Sequence, residues 1–536
     1  MNSKTKILLP LIIAVSVCVG ILMGNFLLGS GVSFHKKTPP QLIYNNKIDY
    51  LLDLINQRYV DSLDFDQLTE DAATQIITEL DPHSAYIPAT ELEEVNNELE
   101  GSFSGIGVQF NILNDTVMIV DVINGGPSEK LGIQPGDRIV RVDDSLFVGK
   151  EITNEKVQKT LKGEKGTVVK VEIKRSSSKE LLTYKIVRGT VPVNSVDISY
   201  MIEPETGYIK VSKFGRTTYD EFIAAIYQLK RQNAAGFIID LRGNAGGYLD
   251  AAIAMIDEFL PKERLIVYTE GHFYPREDYV SSGKGSSIDN KIVVLIDEWS
   301  ASASEIFAGA IQDNDRGSII GRRSFGKGLV QNQFPLPDGA AVRLTVARYY
   351  TPSGRYIQKP YERGANNEYE LEVYERYLSG ELDHPDSIST AVDTVEFRTI
   401  GGRIVHGGGG IMPDISVPRD TVGHTAFFNK LINKGYVYQF AFDYADQNRQ
   451  ALSEMKTWQE IDAYLIENEV IEELLDYAES KGLRRNPYSF YKSRTPIQNL
   501  LTAYVSRNIL GERGFYPVLN RRDPVVIKAL ETINKN

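Results

Sequence analysis

The sequence predicts an α/β core preceded by a small β-rich module, with helical segments at both ends of the chain. Three observations predict it. Between residues 191 and 356 short apolar runs alternate with helix-spaced ones. Tyr208-Ile-Lys-Val211, Gly236-Phe-Ile-Ile-Asp-Leu241 and Ile292-Val-Val-Leu-Ile296 have the length and branching of buried strands. Phe222, Ile226 and Leu229 fall on one helix face, as do Ala252, Ile256 and Phe259, and Ile306, Phe307, Ala310 and Ile311. Strands spaced by helices imply right-handed crossovers and an α/β sheet. From Gly101 the character differs, with short alternating strands between glycine-rich turns. Residues 48–97 and the chain beyond about 421 carry apolar stripes at helix spacing.

At 536 residues the chain is long enough for about two to four domains and a large core. Charged residues make up 24% and apolar residues 42%, ordinary for a globular protein. A net charge of −12 offers no basic field and argues against nucleic acid as a partner. One cysteine, Cys18, rules out a disulfide within the chain. Residues 7–28 are mostly apolar, interrupted by Pro10 and Asn25; that is long enough to cross a bilayer and longer than a signal core. Lys4 and Lys6 precede it, while Lys36 and Lys37 follow at more distance. The expectation is a cytoplasmic start, transmembrane anchor and linker over 1–40, leaving the bulk of the chain extracytoplasmic (periplasmic in a bacterium with two membranes). Secretion after signal cleavage is the alternative.

Residues 41–97 read as an N-terminal helical segment, with stripes at Leu51, Leu52, Leu54 and Ile55 and at Ala72, Ala73, Ile76, Ile77 and Leu80. Asp81-Pro-His-Ser-Ala-Tyr86 breaks the pattern. His83 invites a catalytic reading, but beside a proline it is expected to be exposed or capping.

The core carries its chemistry between residues 291 and 331. After the strand ending at Ile296 come Asp297-Glu-Trp-Ser-Ala-Ser-Ala-Ser-Glu305 and a helix; a second apolar pair, Ile319-Ile320, leads to Ser324-Phe-Gly-Lys-Gly-Leu-Val-Gln331. A serine hydroxyl is a weak nucleophile and needs a base within hydrogen-bond reach. A lysine serves only when neutral, so it must be desolvated, and Phe325, Leu329 and Val330 are candidates for that apolar setting. A serine that opens a helix also sets backbone N–H groups, here that of Ala303, beside a developing oxyanion. The bland reading of the same residues is a capping box, Ser302-Ala-Ser-Glu305, that only starts a helix. A phosphate loop over Gly321–Lys327 fails, because Gly328 stands where Ser or Thr is needed and a strand-like alternation follows. None of the six histidines sits in a recognisable triad pattern, and no His, Glu or Cys pair has metal-ligand spacing, so neither metal nor other cofactor is expected.

Ser-Ala-Ser-Ala-Ser-Glu305, Phe-Gly-Lys-Gly with a glutamine four residues on, and Asp240-Leu-Arg-Gly-Asn-Ala-Gly-Gly247 together resemble the carboxyl-terminal processing (tail-specific) proteases, PDZ-containing serine peptidases with a Ser-Lys dyad. The resemblance implies Ser302 as nucleophile, Lys327 as general base and Gln331 orienting the lysine. It also implies an oxyanion hole from Ala303 with Gly246 and Gly247. Ser300 and Ser304 are the alternative nucleophiles.

The β-rich module, residues 98–190, looks like a PDZ domain: Gly105-Ile-Gly-Val-Gln-Phe110 opens it, and Pro135-Gly-Asp-Arg-Ile-Val140 follows. Gly105, Ile106, Gly107 and Val108 would point successive N–H groups at one anion, and the next strand edge would pair with an extended peptide. The implied ligand is a free C-terminal carboxylate with an apolar last side chain. Lys162 stands where the family often has arginine, giving one point charge without a bidentate fork.

The core is expected over residues 191–420, with an acid-rich insertion at about 361–397 read as a solvated surface excursion. Gly401 to Ile415 closes it, and 421–536 forms a C-terminal helical domain. The whole reads as an α/β catalytic core with an inserted or preceding PDZ domain. Its implied activity is a serine endopeptidase that holds protein substrates by their C-termini; a catalytically inactive PDZ scaffold on a protease-like fold is the alternative. Partners are then proteins or peptides, the membrane through the anchor, and possible further copies of the chain.

Overall fold

The structure, a computed structural model, describes residues 14–17, 19–20, 23, 47–113, 115–175, 178–364, 366–383 and 395–535. The anchor expected at 7–28 lies almost wholly outside them, as do Cys18, His35 and His384. No helix among the described residues is long and apolar enough to cross a membrane. The chain divides into two compact units, 1–72 and 73–536. Helices α1 (Lys47–Arg58) and α2 (Phe65–Thr78) bury no residue. The remaining elements belong to the second unit.

Asp81 ends the helical run by accepting the N–H groups of His83 and Ser84 (2.9 Å each), an Asx turn that releases the chain into β1 (Ala85–Ile87). After α3 (Ala89–Glu100), β2 (Ser102–Gly105) leads into an antiparallel sheet. It is built of β3 (Val108–Leu113), β4 (Thr116–Val122), β5 (Arg138–Val142), β6 (Ser145–Leu146), β7 (Val168–Lys174) and β8 (Leu182–Val187), in the order β3-β4-β5-β7-β8 with β6 on β5. The inward set Val117, Ile119, Ile139, Val171 and Ile173 packs on Val157 and Leu161 of α5 (Asn154–Leu161); a short α4 (Pro127–Lys130) covers one end. Then β9 (Gly189–Pro192) pairs back on β2, and Arg138 of β5 pairs with Asp446 at 3.1 Å, so the module is tied both to the core and to the C-terminal helical region.

The core sheet runs β10 (Val196–Glu203), β11 (Thr206–Val211), β12 (Gly236–Asp240), β15 (Lys291–Ile296), β16 (Ser318–Gly321) and β21 (Ile415–Ser416). It is parallel apart from the β10–β11 hairpin. Its inner strands, β11, β12, β15 and β16, are buried on both faces, and their continuous apolar composition follows from that. Phe237, Ile239, Val294 and Ile296 face α6 (Thr218–Lys230), α7 (Leu249–Asp257) and α8 (Ala303–Asp313). Tyr208, Ile238, Val293, Leu295 and Ile320 face the other way. A second sheet, β1-β18-β13-β14 with β17 on β18, joins β13 (Leu265–Glu270), β14 (Glu277–Val280), β17 (Leu329–Pro335) and β18 (Ala341–Tyr350). The N-terminal β1 pairs with the start of β18, Ala85 opposite Arg343.

Two departures from expectation concern the core's borders. The acid-rich stretch is no solvated excursion over its described part. Its helix α9 (Asn366–Leu378) buries Tyr369, Val373 and Arg376, and Leu382 beyond it is buried too. The acidic residues there answer cations, with Glu372 on Arg376 at 2.6 Å and Glu381 on Arg323 at 2.7 Å. A hairpin, β19 (Glu396–Arg398) and β20 (Ile404–His406), then leads to β21. Second, the C-terminal helices are not all a separate domain. A cluster forms from α10 (Ala426–Asn433), α11 (Tyr436–Gln447), α12 (Arg449–Leu452), α13 (Trp458–Glu467), α14 (Val470–Ser480) and α15 (Pro487–Leu510). After α16 (Glu512–Asn520), α17 (Pro524–Lys535) lays Val525, Val526, Ala529 and Ile533 on the second face of the core sheet.

Candidate active site

The turn after β15 is stitched to the loop after β12 by buried hydroxyls. Ser300 Oγ donates to Leu241 O at 2.9 Å and Ser304 Oγ to Asn244 O at 2.8 Å, and both side chains are fully buried. Ser302 lies between them, half-buried, with φ +54° and ψ −113°. That backbone is disfavoured for a residue with a Cβ, by about 1–3 kcal/mol, and it persists only because both flanks are fixed. Of the three candidate serines, two have their hydroxyls committed to the fold.

Gly246 and Gly247 are required by space. A Cβ on Gly246 (φ +103°) would stand 2.7 Å from Ser302 Cβ, and one on Gly247 (φ +144°) would lie 2.1 Å from Phe214 O. Gly246 is corrected as an oxyanion donor, because its N–H is spent on Asn244 Oδ1 at 2.9 Å. The bridge between Phe214 and Gly247 uses Gly246 O and Tyr248 N, which turns Gly247's own N–H away from Phe214. Ala303 is the first residue of α8, so its N–H lies outside the helix's own ladder. The amides of Gly247 and Ala303 are those left for an anion.

Glu305 ties the serine to the lysine loop. One carboxylate oxygen accepts the N–H groups of both Ser302 and Lys327, each at 2.8 Å, so the two amide nitrogens stand no farther apart than twice that distance. The other accepts Gly326 N–H at 2.7 Å and Ser324 Oγ at 2.5 Å. Burial pushes this carboxyl up to about 7, against the pull of those four donors. Tyr349 adds a second tie, donating to Lys327 O at 2.5 Å and lying 3.3 Å from Ser302 O. The contact of Glu305 with Ser302 N–H, part of a capping box, therefore does more than start a helix.

The Lys327 amine donates to Gln331 Oε1 at 2.9 Å. Burial holds its pKa below the ordinary lysine range, helped by Arg343 and opposed by Glu305 and Asp81. Gln331 turns its Nε2 to the carbonyl of His83. A carbonyl only accepts, so it sets which end of the amide faces the lysine. The turn carrying that carbonyl is itself held: Asp81 also takes Ser84 Oγ at 2.7 Å and Thr345 Oγ1 at 3.0 Å, and Ser84 Oγ accepts Thr345 N–H at 3.1 Å. His83 is thus neither exposed nor a cap. Its ring lies 2.8 Å from Tyr369 OH, and burial with the Lys327 charge pushes it down to about 3. Helix α9 closes the outside of the loop, with Arg376 donating to Ser324 O (2.8 Å) and Phe325 O (3.2 Å). Lys359 sits over the rings of Phe325 and Tyr369 at 3.9 and 4.1 Å. Sequence reasoning places a break at Asp81–Tyr86 but not its tie to Gln331, and it misses Tyr349 and α9.

Upstream, Asp240 anchors the Gly246-Gly247 loop. Burial opposes its charge, yet Arg242 and Lys210 outweigh burial and hold the carboxyl below the ordinary range. Arg242 reaches on to Asp523 at 2.6 Å.

In the β-rich module, Ile106 is buried and its carbonyl accepts Ser128 N–H and Oγ, which fixes the Gly105–Val108 turn. Gly107 (φ +78°) packs against Gly126 and Pro127. Among the described residues β3 pairs only with β4, so its other edge carries no strand. Lys162 pairs with Glu94 of α3 at 2.8 Å.

An α/β core with a PDZ-like module and a half-buried serine tied to a lysine loop is the architecture of a serine-type peptidase. The comparisons agree. Residues 205–369 match the model of peptidase family S41, 104–186 that of the PDZ domain, and 427–511 a family of unknown function. A carboxy-terminal-processing protease of Bartonella bacilliformis is 37% identical over 313 residues, 58% of this chain and 71% of that one. Carboxy-terminal processing protease CtpB of Bacillus subtilis is 32% identical over 317 residues, 59% of this chain and 65% of that one. The structure of a photosystem II D1 C-terminal processing protease aligns over 70% of this chain and 92% of its own, at 24% identity and a TM-score of 0.36. The chain belongs to the carboxy-terminal-processing proteases of peptidase family S41.

Proposed function

We propose that the chain cleaves protein substrates with Ser302 as nucleophile and Lys327 as general base, and that its PDZ domain holds their C-termini. Neutral Lys327 accepts the Ser302 hydroxyl proton as Oγ attacks the peptide carbonyl. The N–H groups of Ala303 and Gly247 receive the charge that develops on the carbonyl oxygen. The lysine returns the proton to the leaving amine, and water then releases the acyl group by the same exchange. The observation that carries this reading is Glu305, whose one oxygen binds the backbone of both residues. Commitment of the neighbouring hydroxyls of Ser300 and Ser304 to backbone carbonyls favours Ser302. The PDZ part rests on the fixed Gly105–Val108 turn and the open edge of β3.

A fluorophosphonate probe is expected to label the purified chain once, and Ser302→Ala to abolish both label and proteolysis while Ser304→Ala keeps both. Parent-level turnover by a folded Ser302→Ala chain would refute the assignment.

A further inference from the structure

The core sheet ends on one side in a two-residue strand, β21, and on the other in β10, which is eight residues long and carries no proline. An edge of that length, left bare, templates pairing with other chains. Here it lies at the bottom of a groove of about 840 Å³, within the roughly 300–1,000 Å³ of ligand-binding clefts. Six consecutive β10 residues, 198–203, line it. One wall is the outer side of α6 at Gln228 with Gln232 in the turn after it; the other is built by α13, α16 and α17.

The second wall has a definite chemistry. Ile527, Leu530 and Trp458 present apolar surface, and Arg521 stacks on Trp458 at 4.9 Å while paired with Asp462. Arg513 and Lys456 stand exposed at the rim, and among the described residues neither forms an ion pair. The carboxylate of Glu203 accepts Asn534 Nδ2 at 3.0 Å. In a chain of net charge −12, Arg513, which has no acidic partner among the described residues, and Lys456, whose charge is shared with Glu460, stand beside an unpaired strand edge as a selective feature.

We infer that this groove is a second peptide-binding site, separate from the PDZ edge, that takes an extended acidic segment of a protein partner by strand addition to β10. About six residues of strand span roughly 20 Å, the run that lines the groove. Successive side chains of the bound segment alternate between walls, polar ones toward Gln228 and Gln232, apolar and acidic ones toward Trp458, Lys456 and Arg513. The site is independent of the Ser302–Lys327 chemistry.

The test uses the full chain carrying Ser302→Ala, so that nothing is cut, and a labelled ten-residue peptide in which serine at every second position alternates with glutamate and valine in turn. The peptide is acetylated and amidated, which denies the PDZ domain its carboxylate. Fluorescence anisotropy is expected to show saturable binding that a free-carboxylate PDZ ligand does not displace. Methylating alternate amide nitrogens of the peptide should abolish it, and Arg513→Glu with Lys456→Glu should weaken it about tenfold or more. A peptide with lysine in place of glutamate should bind at least as weakly. No binding, binding that survives N-methylation in both registers, or equal binding of acidic and basic peptides overturns the inference. Should the double variant fold poorly, the N-methylated and lysine peptides decide on the parent chain.

Discussion

At the residue scale the site depends on which end of an amide faces which neighbour. Gln331 offers its oxygen to Lys327 because its nitrogen is held by the His83 carbonyl, and the turn that carries that carbonyl is held by Asp81, which accepts the N–H groups of His83 and Ser84. Asp81→Ala frees the turn, so the amine loses a fixed acceptor and kcat should fall about tenfold or more, with KM nearly unchanged. The charge of Asp81 also raises the Lys327 pKa, so its removal should move the alkaline rise of activity to lower pH. A kcat and a pH profile both at parent values would show that the turn only supports the fold. The stretch from Ser302 to Gln331 stands out in the sequence because serine, lysine and glutamine fall in one short region. The tie of the Asp81 turn to Gln331 does not, since about 250 residues separate His83 from Gln331 and only the folded sheet brings β1 beside β18.

At the scale of elements, strands of the core were the easiest to read, because burial on both faces leaves near-continuous apolar runs. The acid-rich stretch misled for a physical reason. Charge density alone suggests solvation, but Glu372 and Glu381 are matched to Arg323, Lys359 and Arg376, which lie far off in sequence or on the next turn. Helix α9 thereby becomes the outer support of the lysine loop. The PDZ element carries its own expectation. If the Gly105–Val108 turn receives a carboxylate, amidating a substrate's C-terminus removes charge-assisted hydrogen bonds worth about 1.5–3 kcal/mol, and capture should weaken about tenfold or more. Equal affinities of acid and amide peptides in a titration would remove C-terminal recognition and leave the peptidase untouched.

At the scale of the whole molecule, the chain's last helix is a layer of its catalytic sheet. Val525, Val526, Ala529 and Ile533 are at most 3% exposed and cover Ile238, Val293 and Leu295. Arg242, beside the oxyanion loop, is paired with Asp523 at the start of that helix. Ile533→Ala should cost about 2–5 kcal/mol of stability, read as a lowered unfolding midpoint, whereas an equally conservative change at exposed Ile466 should cost little. Equal midpoints would place α17 outside the cooperative core. A helical tail announces its amphipathic face in sequence but not the partner that face packs on.

The most direct test of the central claim is the rate of acylation in a single turnover, followed against pH for the parent chain and Lys327→Arg. Only a neutral Lys327 can take the proton from Ser302, and burial holds its folded pKa below the ordinary value. The parent rate is therefore expected to rise with pH through that lowered pKa and level off above it. Arginine keeps the charge and does not deprotonate in any accessible range, so Lys327→Arg should be as inactive as Lys327→Ala at every pH. An arginine variant that acylates at close to the parent rate, with the same pH profile, would contradict the assignment of Lys327 as the base.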